Sequence, residues 1–488
     1  MSARLRIGII GAGMAGLYAA YRLKESGYEV VVFEKNSDVG GTWLQNDYPG
    51  LHVDVITRSY EFAEMRSSTW SKRYAPGVEI GAYLKSFARR KGLYPLIRFG
   101  SEVAEASWHD GVWQIVTTDG ETHVFDVAMV ATGFLRVPKM PRIEGMDDFR
   151  GTAFHSSRWD HSLSFTGKRV GVIGTGSSGI QIVSELGKRG HDVVHFIRTP
   201  QWIQIKENPS ISWLEKLLLR IPALAKYWDT RMARLRVKTD GPETWRLEPG
   251  PDRDAANQRF LDVLEQEIPD PALRRKLTPA EPLGCKRIPK SPDYYRVLQR
   301  PNVQPVFGPL GHIEHDGVVD GTGVKHTLDV IVFATGFDTH AYMRPMRITG
   351  ANGVTLDELW QGAVFSYRGV GLPQMPNLFL LNGPFAPINS LAIPLCLRDE
   401  VGYLLRLLAV IERDRTPIAP TRAATDRFVD TIREKLPQTT YSLCDNWYTD
   451  ASGTQVIWPF TRAEHGRQYD ELNLDDFETF GLPVEALS

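Results

Sequence analysis

Gly11-Ala12-Gly13-Met14-Ala15-Gly16 and Gly174-Thr175-Gly176-Ser177-Ser178-Gly179 decide the fold of this chain. Each follows an apolar run that reads as a strand, Leu5 to Ile10 and Arg169 to Ile173, and each opens a helical pattern. A second strand comes next in both cases: Glu29 to Phe33 delivers Glu34, and Asp192 to Ile197 delivers Arg198. In such a unit the glycines make a tight turn, admit a pyrophosphate and let helix pack on strand, while the residue about 20 positions on meets the adenosine ribose. An acid there accepts from a free 2′-hydroxyl; a guanidinium suits a 2′-phosphate through paired charge-assisted hydrogen bonds. The first unit therefore predicts FAD or NAD. The second predicts NADP, with Thr199 adding a hydroxyl beside Arg198. Together they predict an α/β fold with two Rossmann-like dinucleotide-binding domains, one for FAD and one for NADP, and electron flow from NADPH to a flavin.

The rest of the chain repeats this plan. Asp126 to Val130 runs into Ala131-Thr132-Gly133-Phe134, and Asp329 to Phe333 runs into Ala334-Thr335-Gly336-Phe337, so each unit ends on a strand followed by the same small residues. Pro138 to Gly145 reads as a linker. The expected division is an FAD-binding domain, first part, over 1–145; an NADP-binding domain over 146–336 with a helical insertion at about 205–280; and completion of the FAD domain with a substrate-site segment over 337–488. Trp213 to Ile221, Asn257 to Glu267 and Leu391 to Ile411 have helical spacing. Lys226 to Lys238 is basic with apolar residues between the charges. That stretch suits a membrane-surface helix or a cap over the active site, and the cap is preferred.

A chain of 488 residues exceeds what one core supports, so two or more domains are expected. Net charge is −1 with mixed signs, which gives no nucleic-acid signature. Cys285, Cys396 and Cys444 are far apart and odd in number, arguing against a disulfide framework and against a CxxC redox pair; a cytoplasmic location is the default. Ile7 to Tyr21 is apolar but broken by glycines, as a βα unit would be, and no run of about 18 apolar residues predicts a membrane span. His52 has no second ligand at metal spacing, so no metal site is expected; it reads as a pocket or NADP contact.

Two longer patterns carry a family resemblance. Phe149-Arg150-Gly151-Thr152-Ala153-Phe154-His155-Ser156-Ser157-Arg158-Trp159-Asp160 fits FxGxxxHxxxW followed by Pro or Asp. Gly40-Gly41-Thr42-Trp43, Tyr48-Pro49-Gly50 and Asp54 fit GGxWxxxxYPGxxxD. From Gly11 to about Trp447 the chain resembles the type I Baeyer–Villiger monooxygenases, within the class B flavoprotein monooxygenases, and is most similar to their hydroxyacetophenone-type branch. Trp159 favours that reading over the flavin-containing monooxygenases of nitrogen and sulfur, where Tyr or Phe is usual.

The resemblance implies a catalytic arginine in Gly284-Cys285-Lys286-Arg287, namely Arg287, with Asp54 orienting it. A guanidinium stays charged at any working pH, so it can keep a flavin C4a-peroxide deprotonated and stabilise the oxyanion that forms when the peroxide attacks a ketone. The implied cofactor-binding residues of the FAD side are Gly11, Gly13, Met14, Ala15, Gly16, Glu34, Lys35, Gly41, Thr42, Trp43, Asp54, Tyr60 and Val103. Those of the NADP side are Gly174, Thr175, Gly176, Ser177, Ser178, Gly179, Arg198, Thr199, Lys286, Arg287 and Trp447. Asn446 stands where the family pattern leads one to expect serine. His155 is read as coupling domain movement, and Phe385 to Ile393 with the apolar members of Tyr60 to Met65 as pocket lining. On residue type alone Asp54 also fits a turn cap, Arg287 a structural ion pair and Arg198 a solvated arginine. The implied reaction uses O2 and NADPH to turn a ketone into an ester or lactone, with sulfides as a further substrate class. Its rivals are a nitrogen- or sulfur-oxygenating flavin monooxygenase and an NADPH oxidase or other non-oxygenating flavoprotein. Substrate identity and oligomeric state stay open.

Overall fold

The computed structural model describes residues 4–240, 248–388 and 392–481, with the side chains of 232–240 left aside. Two five-stranded parallel sheets organise it. In the first, Arg6–Ile10 lies between Glu29–Glu34 and Val127–Val130, with Ile97–Phe99 and Leu378–Leu380 at the edges. In the second, Arg169–Ile173 lies between Asp192–Ile197 and Val330–Phe333, with Val303–Phe307 and Thr152–His155 at the edges. The fingerprint strand is central in both, and each sheet takes one edge strand from outside its own βαβ run. Leu378–Leu380 brings the C-terminal part of the chain into the first sheet. Thr152–His155, inside the FxGxxxHxxxW stretch, edges the second.

These strands are continuous apolar runs because helices and loops cover both faces. Ile7, Ile9, Val170 and Val172 are fully buried, each such side chain contributing about 1.5–3 kcal/mol by area removed from water. The helix Met14–Glu25 is built from Ala, Leu, Met, Tyr and long polar residues, places Arg22 and Lys24 in its last turn, and stops before Gly27, whose φ is +83°. Before its final strand each unit inserts an antiparallel meander: Val103–His109, Val112–Thr117 and Thr122–Phe125 in the first, Leu310–Glu314, Gly317–Asp320 and Lys325–Thr327 in the second.

The insertion forms the helices Trp213–Leu218, Pro222–Asp240, Pro251–Glu267 and Pro271–Leu277; the last three begin on proline, whose missing N–H costs nothing in a first turn. The described part of the insertion does not form the expected cap, and the side chains of 232–238 in the basic stretch lie outside the described residues. No described residue of these helices lines the central cleft. Instead Asp229 takes a two-pronged bond from Arg58 (2.6 and 3.0 Å), and Arg73 lies 5.8 Å over the Trp228 ring, so the insertion packs against the outside of the first unit. Helical spacing identifies a buried face but not the surface it meets.

Candidate active site

Both fingerprint turns open onto one cleft of about 1480 Å³, well above the roughly 300–1,000 Å³ typical of a single small-ligand pocket. All the cofactor-binding residues named from the sequence line it except Gly16 and Gly179. Those two act behind it. A Cβ on Gly16 would fall 1.9 Å from the Gly11 carbonyl oxygen, and one on Gly179 would fall 2.0 Å from that of Gly174, so only glycine lets each helix seat on its strand. The middle glycines face open space: a Cβ on Gly176 would meet nothing within 4 Å, and one on Gly13 would meet only the Gly41 backbone, at 3.5 Å and beyond. A helix starts directly after each of them. This is the cradle a pyrophosphate needs, with backbone N–H groups and a helix N-terminus aimed at bare backbone, and the residues fit two dinucleotides.

The two residues expected to read a ribose sit differently. Glu34 is buried; its carboxylate accepts from the backbone N–H of Ala12 (2.7 Å) and from both the backbone and side chain of Asn36 (2.9 and 2.5 Å). Arg198 is exposed at the cleft and forms no ion pair among the described residues. Lys286, also at the cleft, pairs with Glu281 at 2.6 Å. Beneath the second turn, the fully buried His195 donates from Nε2 to the Gly174 carbonyl (3.0 Å), and Tyr294 donates to its Nδ1 (3.3 Å). Burial pushes this imidazole down to about 4.

Arg287 and Asp54 meet where the two units face each other. Nε and Nη2 of Arg287 both donate to Oδ2 of Asp54 (3.1 and 2.5 Å), and Nη1 donates to the Ile388 carbonyl (2.9 Å). Burial would raise Asp54, but the charges of Arg287 and Lys290 outweigh it and hold the carboxyl at about 2. Burial would likewise lower Arg287, and Asp54 reverses that. Trp43 donates to the Tyr60 hydroxyl at 3.3 Å across a T-shaped ring pair beside them.

A second polar link joins the units. Ser178 donates to the Tyr48 hydroxyl and Tyr48 donates to Gln181 Oε1, both at 3.0 Å, while Gln181 Nε2 donates to the His52 carbonyl at 3.1 Å. His52 is thus placed at the contact between units, lining the cleft. Gln181 went unassigned in the sequence reading; its signal is a polar residue between Ile180 and Ile182 on a helix otherwise buried at those positions. Glu400 was missed as well. It is fully buried under the cleft residue Asn382, accepts that residue's backbone N–H at 3.0 Å, and burial pushes it up to about 7. His155 ends its edge strand with Nδ1 on Ser157 Oγ (2.8 Å) and Nε2 on the Gly336 carbonyl (2.9 Å). Of the segment Phe385 to Ile393, residues 389–391 lie outside the described residues; Ile388, Ala392 and Ile393 line the cleft. From the Tyr60 to Met65 stretch only Tyr60 does so.

The cysteine reading is corrected. Cys285 and Cys444 form a disulfide across 159 residues of sequence, because the Lys286-Arg287 loop and the segment before Trp447 converge at the cleft; one argument for a reducing compartment falls with it. The carboxylate of Glu281 lies within 4.8 Å of both sulfurs, which are bonded to each other. Asn446 reinforces the junction, its Nδ2 donating to the carbonyls of Cys285 (3.0 Å) and Tyr441 (2.8 Å), so the departure from serine gives the loop two anchors. Trp447 stacks on Phe134 with centroids 6.3 Å apart and planes at 11°.

Residues 4–210 match the family model described as flavin-binding monooxygenase-like. A Baeyer–Villiger monooxygenase of Streptomyces coelicolor is 36% identical over 489 residues, covering 97% of this chain and 92% of that one. An uncharacterized monooxygenase of Mycobacterium tuberculosis is 36% identical over 480 residues, covering 97% and 95%. Among solved structures, the OTEMO complex with FAD and NADP aligns with a TM-score of 0.88 at 26% identity, covering 98% of this chain and 100% of that one. Cyclohexanone monooxygenase from Rhodococcus sp. Phi1 bound to NADP+ aligns at 0.87 with 28% identity, covering 98% and 99%.

Proposed function

Because the chain belongs to the Baeyer–Villiger monooxygenases, within the class B flavin monooxygenases, we propose that it uses NADPH and O2 to insert one oxygen beside the carbonyl of a ketone, with Arg287 and Asp54 as the acting pair. FAD and NADPH are its cofactors. One oxygen of O2 enters the ester or lactone, the other leaves as water, and NADPH supplies the electron pair. When bound, FAD supplies the oxygen activation. The observation that carries this reading is the Arg287–Asp54 pair, set in the cleft onto which both fingerprints open.

Arg287 has five N–H donors. Among the described residues two go to Asp54 and one to Ile388, which leaves two N–H groups to serve an oxyanion in the cleft. Asp54, held at about 2, stays ionised across the working range and fixes the plane of the guanidinium. Preorganised donors of this kind act without reorganisation at the moment of reaction. Glu34 would receive the 2′-hydroxyl of FAD; Arg198 and Thr199 would receive the 2′-phosphate of NADPH, with Lys286 exchanging Glu281 for it. Trp447 would cover the nicotinamide from the ring stack it shares with Phe134. Residues 1–145 with the completing part of 337–488 would hold the flavin and 146–336 the nicotinamide nucleotide, while 337–488 also supplies the substrate-site segment and Trp447.

The test is NADPH consumption by the FAD-loaded protein with aryl, cyclic and linear ketones and aryl sulfides, products being identified by mass. Esters or lactones formed in step with NADPH support the reading. Sulfoxides alone, or hydrogen peroxide without product, overturn it.

A further inference from the structure

We propose that the outer face of the helices Trp213–Leu218 and Pro222–Asp240 docks on an anionic lipid surface. Seven of the thirteen exposed large apolar side chains among the described residues fall between 213 and 227, at 40% to 77% exposure; the other six are scattered. Single exposed apolar residues are ordinary, whereas a cluster marks an interaction surface.

The cluster has a helical logic. Trp213 and Leu217 stand four apart on the helix Trp213–Leu218, with Leu214 and Leu218 in the neighbouring row, so one face of that helix carries these four, and Ile221 is exposed in the turn that follows. Leu224 and Tyr227 are exposed three residues apart, on one side of the next helix. The opposite side holds the helices to the body: Glu215 faces Arg73 at 3.8 Å, Asp229 binds Arg58 at 2.6 Å, and Leu219 is buried. Over residues 213–231 the described side chains are therefore docked on the inner side and exposed on the outer side.

Charge selects the partner. Both acids between 213 and 231, Glu215 and Asp229, are engaged by arginines on the inner side. Arg220, Lys226 and Arg231 are exposed and form no ion pair among the described residues. An apolar face with cations among it and its acids neutralised elsewhere suits the boundary between acyl chains and anionic headgroups, where long basic side chains reach the phosphates and Trp and Tyr rings lie at the interface. A second copy would need acids on this face to meet Arg220, Lys226 and Arg231, and both acids between 213 and 231 are already engaged on the inner side, so the charge pattern favours an anionic lipid surface. No helix among the described residues is long and apolar enough to cross a membrane, so the contact is peripheral.

The experiment is flotation of the FAD-loaded full chain with vesicles of phosphatidylcholine alone and of phosphatidylcholine with phosphatidylglycerol. The protein should float with the anionic vesicles, and binding should fall at least tenfold in 0.5 M salt, because exposed charges are screened. Leu214→Ser/Leu217→Ser/Leu218→Ser and Arg220→Gln/Lys226→Gln/Arg231→Gln should each reduce flotation at least tenfold and retain flavin content. The second variant changes only exposed charges and carries the test if the first fails to fold. Three outcomes overturn the proposal: no flotation, equal binding to neutral vesicles, or a protein mass that doubles with concentration and returns to monomer in the leucine variant without any vesicle binding.

Discussion

In the first nucleotide unit the glycine turn closes around an acid; in the second it is backed by a histidine. The backbones match, since the third glycine of each turn seats against the carbonyl of the first, within 1.9 and 2.0 Å of where a Cβ would stand. The side chains below do not. Glu34 reaches into its turn and takes the Ala12 N–H, so the acid proposed to read the ribose is part of the turn itself. In the second unit His195 performs the internal task, bonding the Gly174 carbonyl, and leaves Arg198 exposed at the cleft. Glycine sterics fix the cradle, and the side chain at the strand end is buried in one unit and accessible in the other.

The comparison is strongest where the units meet, because Asp54 comes from one and Arg287 from the other. Arg287→Ala should lower oxygenated product by roughly 10²–10³-fold, the range for removing one oxyanion donor, with FAD content unchanged. Product formation within tenfold of the parent enzyme would mean one unit carries the chemistry alone. The next effect is on stability. The unfolded chain protonates His195 near 6.5 and the folded chain only near 4, so its contribution is complete above 6.5 and is lost as pH falls through that window. The stability difference between parent and His195→Gln, measured by urea unfolding, should shrink by roughly 3 kcal/mol from pH 7 to pH 4. A pH-independent difference would remove the histidine from the second turn's support. Arg198→Ala should raise KM for NADPH about tenfold to a hundredfold, the value of one or two charge-assisted bonds, and leave KM for NADH nearly unchanged. Equal effects on both coenzymes would erase the distinction between the ribose sites. Smallest is Tyr48→Phe. Loss of the bonds to Gln181 and Ser178 should cost about 1 kcal/mol in melting experiments.

The glycine turns, the central strands and the residues around them were legible because their causes are local: sterics within six residues, and apolar runs that only a covered parallel sheet explains. The edge strand Leu378–Leu380 was not, since three residues carry no period and only the sheet beside them makes them a strand. Asp54 and Arg287, 233 residues apart, were named through family resemblance rather than spacing. The disulfide is illegible for the same reason in reverse: Cys285 and Cys444 are 159 residues apart in sequence, and that separation is no guide to their distance in space. Glu400 escaped because a glutamate on an amphipathic helix reads as a surface residue until the fold surrounds it.

That disulfide also changes what kind of object the protein is. The segment it closes leaves the second unit beside Arg287, supplies strands Val303–Phe307 and Val330–Phe333 to one sheet and Leu378–Leu380 to the other, and returns to its starting point at Cys444. Both sheets are threaded on one covalent ring. Any parting of the two halves to exchange a nucleotide must swing about that fastening, so the jaws can gape at their far rim while the end that holds the guanidinium stays buckled.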